Sequence, residues 1–479
     1  MRNKSLGKNA VYNIIYKILN VFFPIISIAY VSRVLLSDGV GRISVIQNNV
    51  SYFLILATLG IPVYGVREIA KCRENEGDKN KLFSELFTIN IIFTVATYIL
   101  FNIIVFSNLY FRSEIVLYEI FGLTLLLNIF NVDWLYQGME EYGYIATRSM
   151  IVKIASIIAL VSFVKSKDDI YLYAVIQVIA VSSNYILNVL KSRSYVRYSL
   201  KNVEIKRHFR PLVYLTLCSV STELYAKMDI TMLDVMKSSN EVGYYSNSQK
   251  IISLLINTLV AITAVFMPRL SFLFEKDKAE FIRLLKSGVE LMAFISVPAC
   301  VGVMIVAEPL VLSFLGEDFL YAVTTVSILS LMIPLKCIGD LICYQVMMCA
   351  SQEVFLMKSY FITMVVNAIN NFLLIPRFGA EGASVASVIS EILAFGFVLF
   401  YSRRYFNLEG IRKIILKTEL CTAVMACSIL PIKYFQCSCF IKLALEGFLG
   451  VLVYIVACVL FKHEVLVKYA KLLKNKLKR

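Results

Sequence analysis

Apolar runs of about 20 residues recur along this chain from one end to the other, and nothing else in the sequence limits its fold so strongly. A helix rising 1.5 Å per residue needs about that length to cross a hydrocarbon core of roughly 30 Å, whereas barrel strands need only about ten residues of alternating polarity. The reading is an all-α integral membrane protein with about fourteen transmembrane helices. Composition agrees, since 59% of the 479 residues are hydrophobic and only 17% charged, against roughly a quarter charged in soluble domains. The first run contains Lys17 and Asn20 and has no small-residue cleavage site after it, so it is expected to remain as a span rather than leave as a signal peptide.

The net charge of +15 is organised by side. Most of the 48 Lys and Arg fall in the termini and in alternate loops (67–81, 191–210, 403–417), which by the positive-inside rule puts both termini in the cytoplasm. The tail from Lys462 to Arg479 suits anionic lipid. Nucleic acid is not an expected partner, because no soluble domain or stacking platform accompanies the charge. Eleven cysteines are scattered, most of them in apolar runs, and read as packing residues; Cys437 and Cys439 form only a weak metal signal beside two histidines.

Four spans carry polar seams at helical spacing. In span 7, after Pro211, the stripe is Thr216, Ser219, Glu223, Lys227 and Asp234; in span 8 it is Ser246, Gln249, Lys250, Ser253 and Asn257. Span 1 (roughly Ala10 to Val31) aligns Asn13, Lys17, Asn20, Pro24 and Ser27, and span 2 (about Ile43 to Tyr64) aligns Ser44, Gln47, Asn48, Ser51 and Thr58. Each central charge disfavours insertion by roughly 2.5 to 3.5 kcal/mol, so such seams are expected to face protein or water.

Spans 7 and 8 also overlay on spans 1 and 2. Val40 meets Val242, Gly41 meets Gly243, Ser44 meets Ser246, Gln47 meets Gln249, Ser51 meets Ser253 and Arg67 meets Arg269. Because both segments begin on odd-numbered spans, the repeats should be related by an axis along the membrane normal. The expected organisation is an N-terminal six-helix bundle (1–200), a C-terminal six-helix bundle (201–405), and two extra helices with a basic cytoplasmic tail (406–479). Elsewhere, Trp134, the one tryptophan, ends span 4 where it can anchor the interface, span 5 contains Lys153, and Lys336 and Asp340 in span 10 can neutralise each other on one helix face. Asp229 lies off the seam of span 7 and reads as a packing partner, and spans 13 and 14 look peripheral.

No P-loop, G-x-S-x-G or paired-histidine motif is present, so a transporter is expected rather than an enzyme. Seams from both halves would meet where repeat transporters hold substrate. Lys17 and Lys250 have no acidic partner at helix spacing and therefore favour an anionic head group, a diphosphate being suited to Lys17, Lys250, Lys227 and Arg33. Substrate-binding residues are accordingly sought among Lys17, Asn20, Arg33, Asn48, Glu223, Lys227, Lys250 and Asn257. Snorkelling to the interface is the structural alternative for Lys17, Arg33 and Lys250.

Six stretches carry a family resemblance: GVREIAK (65–71), DWLYQGMEEYGYIATRS (133–149), YAKMDITML (225–233), VGYYS (242–246), MPRLS (267–271) and LLIPRFGAEGASVAS (373–387). The chain resembles the polysaccharide-type flippases of the multidrug/oligosaccharidyl-lipid/polysaccharide exporter superfamily. That resemblance implies two six-helix bundles around a central cleft, plus two extra helices. It also implies alternating-access flipping of an undecaprenyl-diphosphate-linked oligosaccharide to the outer leaflet of a bacterial cell membrane, in contact with membrane lipids and with glycan polymerase or ligase machinery. KSSNEVGYYS (237–246) stands where a glycine-rich outer turn is usual in the family. A cation-coupled antiporter of drugs or organic cations would need a net acidic site, and a membrane glycan polymerase or ligase would need a sizeable catalytic outer loop. No organic cofactor is expected, and the coupling ion, H⁺ or Na⁺, is left open by the residues.

Overall fold

The computed structural model describes residues 6–468 except 202, 264–265, 348, 351, 404–410 and 436; side chains are described from Phe23 onward, apart from those residues and 218, 222, 267–268, 344, 353, 411–412 and 433–434. All regular structure among the described residues is helical, as lipid requires of a chain that must satisfy its own backbone. Internal contacts divide the chain into two units, Met1–Thr231 and Met232–Arg479. The first contains α1 (Leu6–Thr58), α2 (Ile61–Cys72), α3 (Glu76–Ser107), α4 (Leu109–Arg112), α5 (Ile115–Leu127), α6 (Asp133–Gly138), α7 (Tyr142–Phe163), α8 (Ile170–Ser192) and most of α9 (Lys206–Met236). The second contains α10 (Ser239–Thr263), α11 (Met267–Lys276), α12 (Lys278–Phe314), α13 (Ala322–Ser330), α14 (Met332–Ile342), α15 (Glu353–Ser402), α16 (Ile411–Ile429) and α17 (Cys439–Leu460).

Two of these helices are too long to be single spans. A straight helix of 53 residues would extend about 80 Å, so α1 breaks, at Leu36, where φ is 60°. The 50-residue α15 breaks at Gly379, where φ is 55°. There Glu241 on α10 accepts a 2.7 Å hydrogen bond from the amide of Ala380, and a Cβ on residue 379 would stand 2.4 Å from the same carboxylate. Among the described residues, nine helical stretches are long and apolar enough to cross a membrane, and two of them contain these breaks. With the short apolar helix at Ile115–Phe130 and the polar-seamed α9 and α10, the chain has the fourteen spans of an all-α membrane protein.

Packing in the first unit joins two of the motifs. Gly65 of α2 lies under the ring of Trp134 on α6, so close that a Cβ would come within 2.7 Å of it, and Gly138 lies equally tightly against Ile69. Trp134 is therefore not an interface anchor. It is 3% exposed and sits in a cluster with Tyr64, Ile69, Phe83 and Leu212, because the missing side chain at Gly65 leaves a slot of indole size. Span 4 likewise does not run unbroken to Tyr136. It tightens into a 3-10 turn at Asn128–Phe130, where Asn90 Nδ2 donates to the carbonyls of Asn128 at 2.8 Å and Ile129 at 3.1 Å, satisfying groups the turn frees.

In the second unit α16 and α17 pack on α12 and on each other, with Tyr454 OH donating to the Phe294 carbonyl at 2.7 Å and Met425, Ile429 and Cys458 buried around it. Their lack of polar seams matches that place at the side of α12.

Candidate functional site

The second half of α1 presents Asn48, Ser51 and Tyr52 at one-turn spacing, and α9 presents Glu223, Lys227 and Thr231 at successive turns. These two polar faces meet within the first unit. Asn48, buried, donates from Nδ2 to Thr231 Oγ1 at 2.8 Å, and the Tyr52 hydroxyl lies 2.9 Å from the same oxygen. Lys227 donates from Nζ to Ser51 Oγ at 2.9 Å and forms an ion pair with Glu223 one turn earlier. The side chains of Glu223 and Lys227 are 30% and 34% exposed, and Asn48 Oδ1 is buried with no hydrogen-bond partner among the described residues. Chemically this is an ammonium whose carboxylate partner an incoming anion can displace, beside an unused amide acceptor.

A second cluster holds the start of α9, and the sequence reading did not find it. Glu85, fully buried near the start of α3, accepts from the amide of Glu204 at 3.0 Å and from the Arg207 guanidinium. It also lies 2.9 Å from His208 Nε2, whose Nδ1 is 2.8 Å from the Tyr64 hydroxyl. The available signal was a carboxylate two residues inside an apolar run, with one of only two histidines at the mouth of another. Both clusters bind α9 to α1, α2 and α3 within the first unit.

Of the remaining predicted residues, Lys17 and Asn20 lie outside the described side chains. Arg33 is exposed near the Leu36 break, and Asp229 is buried, as a packing residue would be. In the second unit Lys250, Ser253 and Asn257 form an exposed stripe on α10, but Ser246 leaves that stripe and is buried. The Tyr245 hydroxyl beside it meets Ser387 Oγ of α15 at 2.9 Å. Lys336 is not confined to its helix neighbour Asp340, because its ammonium lies 2.9 Å from Glu391 on α15, tying span 10 to span 12. No three His, Cys, Asp or Glu side chains gather as a metal site among the described residues.

Residues 6–274 match the polysaccharide biosynthesis protein family. The chain belongs to that family. Among relatives of this polysaccharide biosynthesis protein, one from Escherichia coli (strain K12), named as an O-antigen transporter, is 21% identical over 83% of this chain and 97% of its own length. A Haloferax volcanii protein named as a flippase is 27% identical over 35% of this chain and 36% of its own length. The fold is shared with lipid II flippase MurJ in an inward closed conformation, at a TM-score of 0.75 and 17% identity, covering 95% of this chain and all of that one. A multidrug resistance MATE transporter of the MOP superfamily, inward-facing, aligns at a TM-score of 0.65 and 12% identity over 80% of this chain and 93% of its own. This family member is thus a multi-span membrane protein with the fold of those two proteins.

Proposed function

We propose that the chain flips a polyprenyl-diphosphate-linked oligosaccharide repeat unit from the cytoplasmic to the outer leaflet of a bacterial inner membrane by alternating access, for cell-surface polysaccharide assembly. The observation that carries this reading is Lys227, an ammonium more than two turns inside the C-terminal end of the 31-residue α9, held by Ser51 and Glu223 where a diphosphate oxygen could take over either contact. The relatives named as O-antigen transporter and flippase support the lipid-linked glycan as its cargo. Lys17, Asn20, Arg33, Asn48, Glu223, Lys227, Lys250 and Asn257 are the residues assigned to handling the head group. Both termini are assigned to the cytoplasm from the distribution of Lys and Arg, and a glycan polymerase or ligase would take the flipped product. The bundles are taken as 1–200 and 201–405, with 406–479 as the added helix pair.

The deciding experiment reconstitutes the protein in vesicles with a fluorescent polyprenyl-diphosphate glycan and follows its passage between leaflets. Lys17→Ala combined with Lys250→Ala is expected to lower flux at unchanged protein level; full flux in the double variant refutes the residue assignment. Export of an organic cation with no glycan flux would favour the antiporter, for which the MATE-like fold is the supporting observation.

A further inference from the structure

Lys153 takes no part in the sites described above. It is near the midpoint of α7 (Tyr142–Phe163), about 15 Å of helix from either end, further than its four-carbon stem can carry the charge to an interface. The ammonium instead turns into the first unit, 5.5 Å from the centre of the Phe23 ring. It lines a cavity of about 190 Å³ between α1, α7 and α8, well above the roughly 10–15 Å³ that a single water needs.

The walls narrow the chemistry of an occupant. Ser27, Ser156, Gln177 and Asn184 supply the other polar groups. Ser156 donates to the Val152 carbonyl at 2.7 Å, Gln177 Nε2 to the Tyr173 hydroxyl at 3.0 Å, and Asn184 Nδ2 to the Ala180 carbonyl at 2.8 Å. Those donors are thereby engaged, while Asn184 Oδ1 is a buried acceptor without a partner among the described residues. A ligand that fits both ends offers an anionic oxygen to Lys153 and an O–H or N–H hydrogen to Asn184. Chloride and a bare carboxylate lack that proton; a phosphate ester bearing a P–OH has both. The rest of the lining, Ile157, Leu160 and Ile176 among it, is hydrocarbon.

We propose that this cavity binds the phosphate end of a polyprenyl phosphate or diphosphate, with Lys153 and Asn184 on the phosphate and the apolar wall against the first isoprene units. The ligand class rests on the flippase reading, but the site lies wholly within α1, α7 and α8 and is separate from the contacts of Lys227. It gives the glycan-free carrier lipid, whose terminal phosphate can keep a P–OH where the glycosylated diphosphate diester cannot, a phosphate station at the side of the first unit.

The test uses the full-length protein in nanodiscs and a short-chain polyprenyl diphosphate carrying a diazirine on its first isoprene, with crosslinked peptides mapped by mass spectrometry. Labelling is expected on the peptides of α7 and α8, reduced tenfold or more by Lys153→Gln, largely kept by Lys153→Arg, and abolished by Ser156→Leu, which fills the cavity. Melting curves on the same samples check that each variant is folded. Labelling of these helices that is indifferent to both Lys153→Gln and Ser156→Leu, or is competed equally by phosphatidylglycerol, overturns the site; full competition by inorganic diphosphate alone overturns the lipid as its ligand. The readout needs no transport. Lys153-dependent labelling without flux would leave this site standing and remove the flippase reading, and normal flux with Lys153-independent labelling would do the reverse.

Discussion

Lys227 and Ser51 are 2.9 Å apart, ammonium to hydroxyl, and that bond ties span 7 to span 2 across the first unit. With Glu223 on its other side, the lysine is held without being fully neutralised by burial, since about a third of each charged side chain is exposed. The pair is half-buried, so its ammonium keeps a face that an incoming anion can reach and exchange for the carboxylate.

Replacing the ammonium while keeping most of the stem tests that exchange. Lys227→Met is expected to lower glycan flux in vesicles about tenfold or more, the loss of one charge-assisted bond of roughly 1.5–3 kcal/mol, with membrane abundance near wild type. Glu223→Gln is expected to tighten binding of the diphosphate head group, because the competing carboxylate charge is gone; titration of a labelled substrate reads this out.

Gly65→Val should destabilise the first unit. Its side chain would enter the space of the Trp134 ring, and overpacking costs roughly 1–3 kcal/mol. The melting temperature of the purified protein should fall, and Trp134→Leu in the same chain should restore part of the loss.

Lys336 and Glu391 make a coupled pair in the second unit. Lys336→Met leaves the Glu391 carboxylate without its ammonium and should cost up to about 3–5 kcal/mol, Glu391→Leu should cost less because Asp340 stays beside Lys336, and the double change is expected to be milder than the sum of the two. Thermal unfolding of the four proteins completes the cycle.

His463 gives the stability a dependence on pH. Burial, reinforced by the positive charge of Lys417 and partly offset by Glu464, holds its imidazole below the ordinary value of 6.5. Nε2 meets Thr418 Oγ1 at 3.0 Å and the ring packs 5.0 Å from that of Phe294. A depressed histidine stabilises the fold above its unfolded value and loses that contribution as pH drops through the folded one. The melting temperature should therefore hold from pH 8 to about 6.5 and decline in more acid buffer, and His463→Gln should flatten that component.

Helix periodicity made much of this legible. Asn48, Ser51, Glu223 and Lys227 share faces because side chains one turn apart must, and lipid forbids those faces from pointing outward unpaired. What periodicity does not report is which face meets which. Thr231, the partner of both Asn48 and Tyr52, carries a short side chain that betrays no site by itself. Trp134 reads as an interface residue until Gly65, far away in sequence, is seen to leave it a slot. The buried Glu85 is masked for a similar reason, as its partners Arg207 and His208 lie in the basic loop region, where charge is the expected background. The Leu36 and Gly379 breaks were legible as span ends but not as single-residue corners.

Those corners leave the polypeptide no slack. At Leu36 and Gly379 helix leads into helix with one residue of irregular backbone, and at the latter a carboxylate from a third helix clasps the bend. An epitope or cleavage site inserted there would have to unwind a turn on each side, whereas one in residues 197–200, outside any helix, would break the hydrogen bonds of Arg197 and Ser199 to Asn80 and Ser84 but no helical turn. Reporter tags for mapping which side each loop occupies belong in that segment, and a tag forced into either corner would report on damage instead of topology.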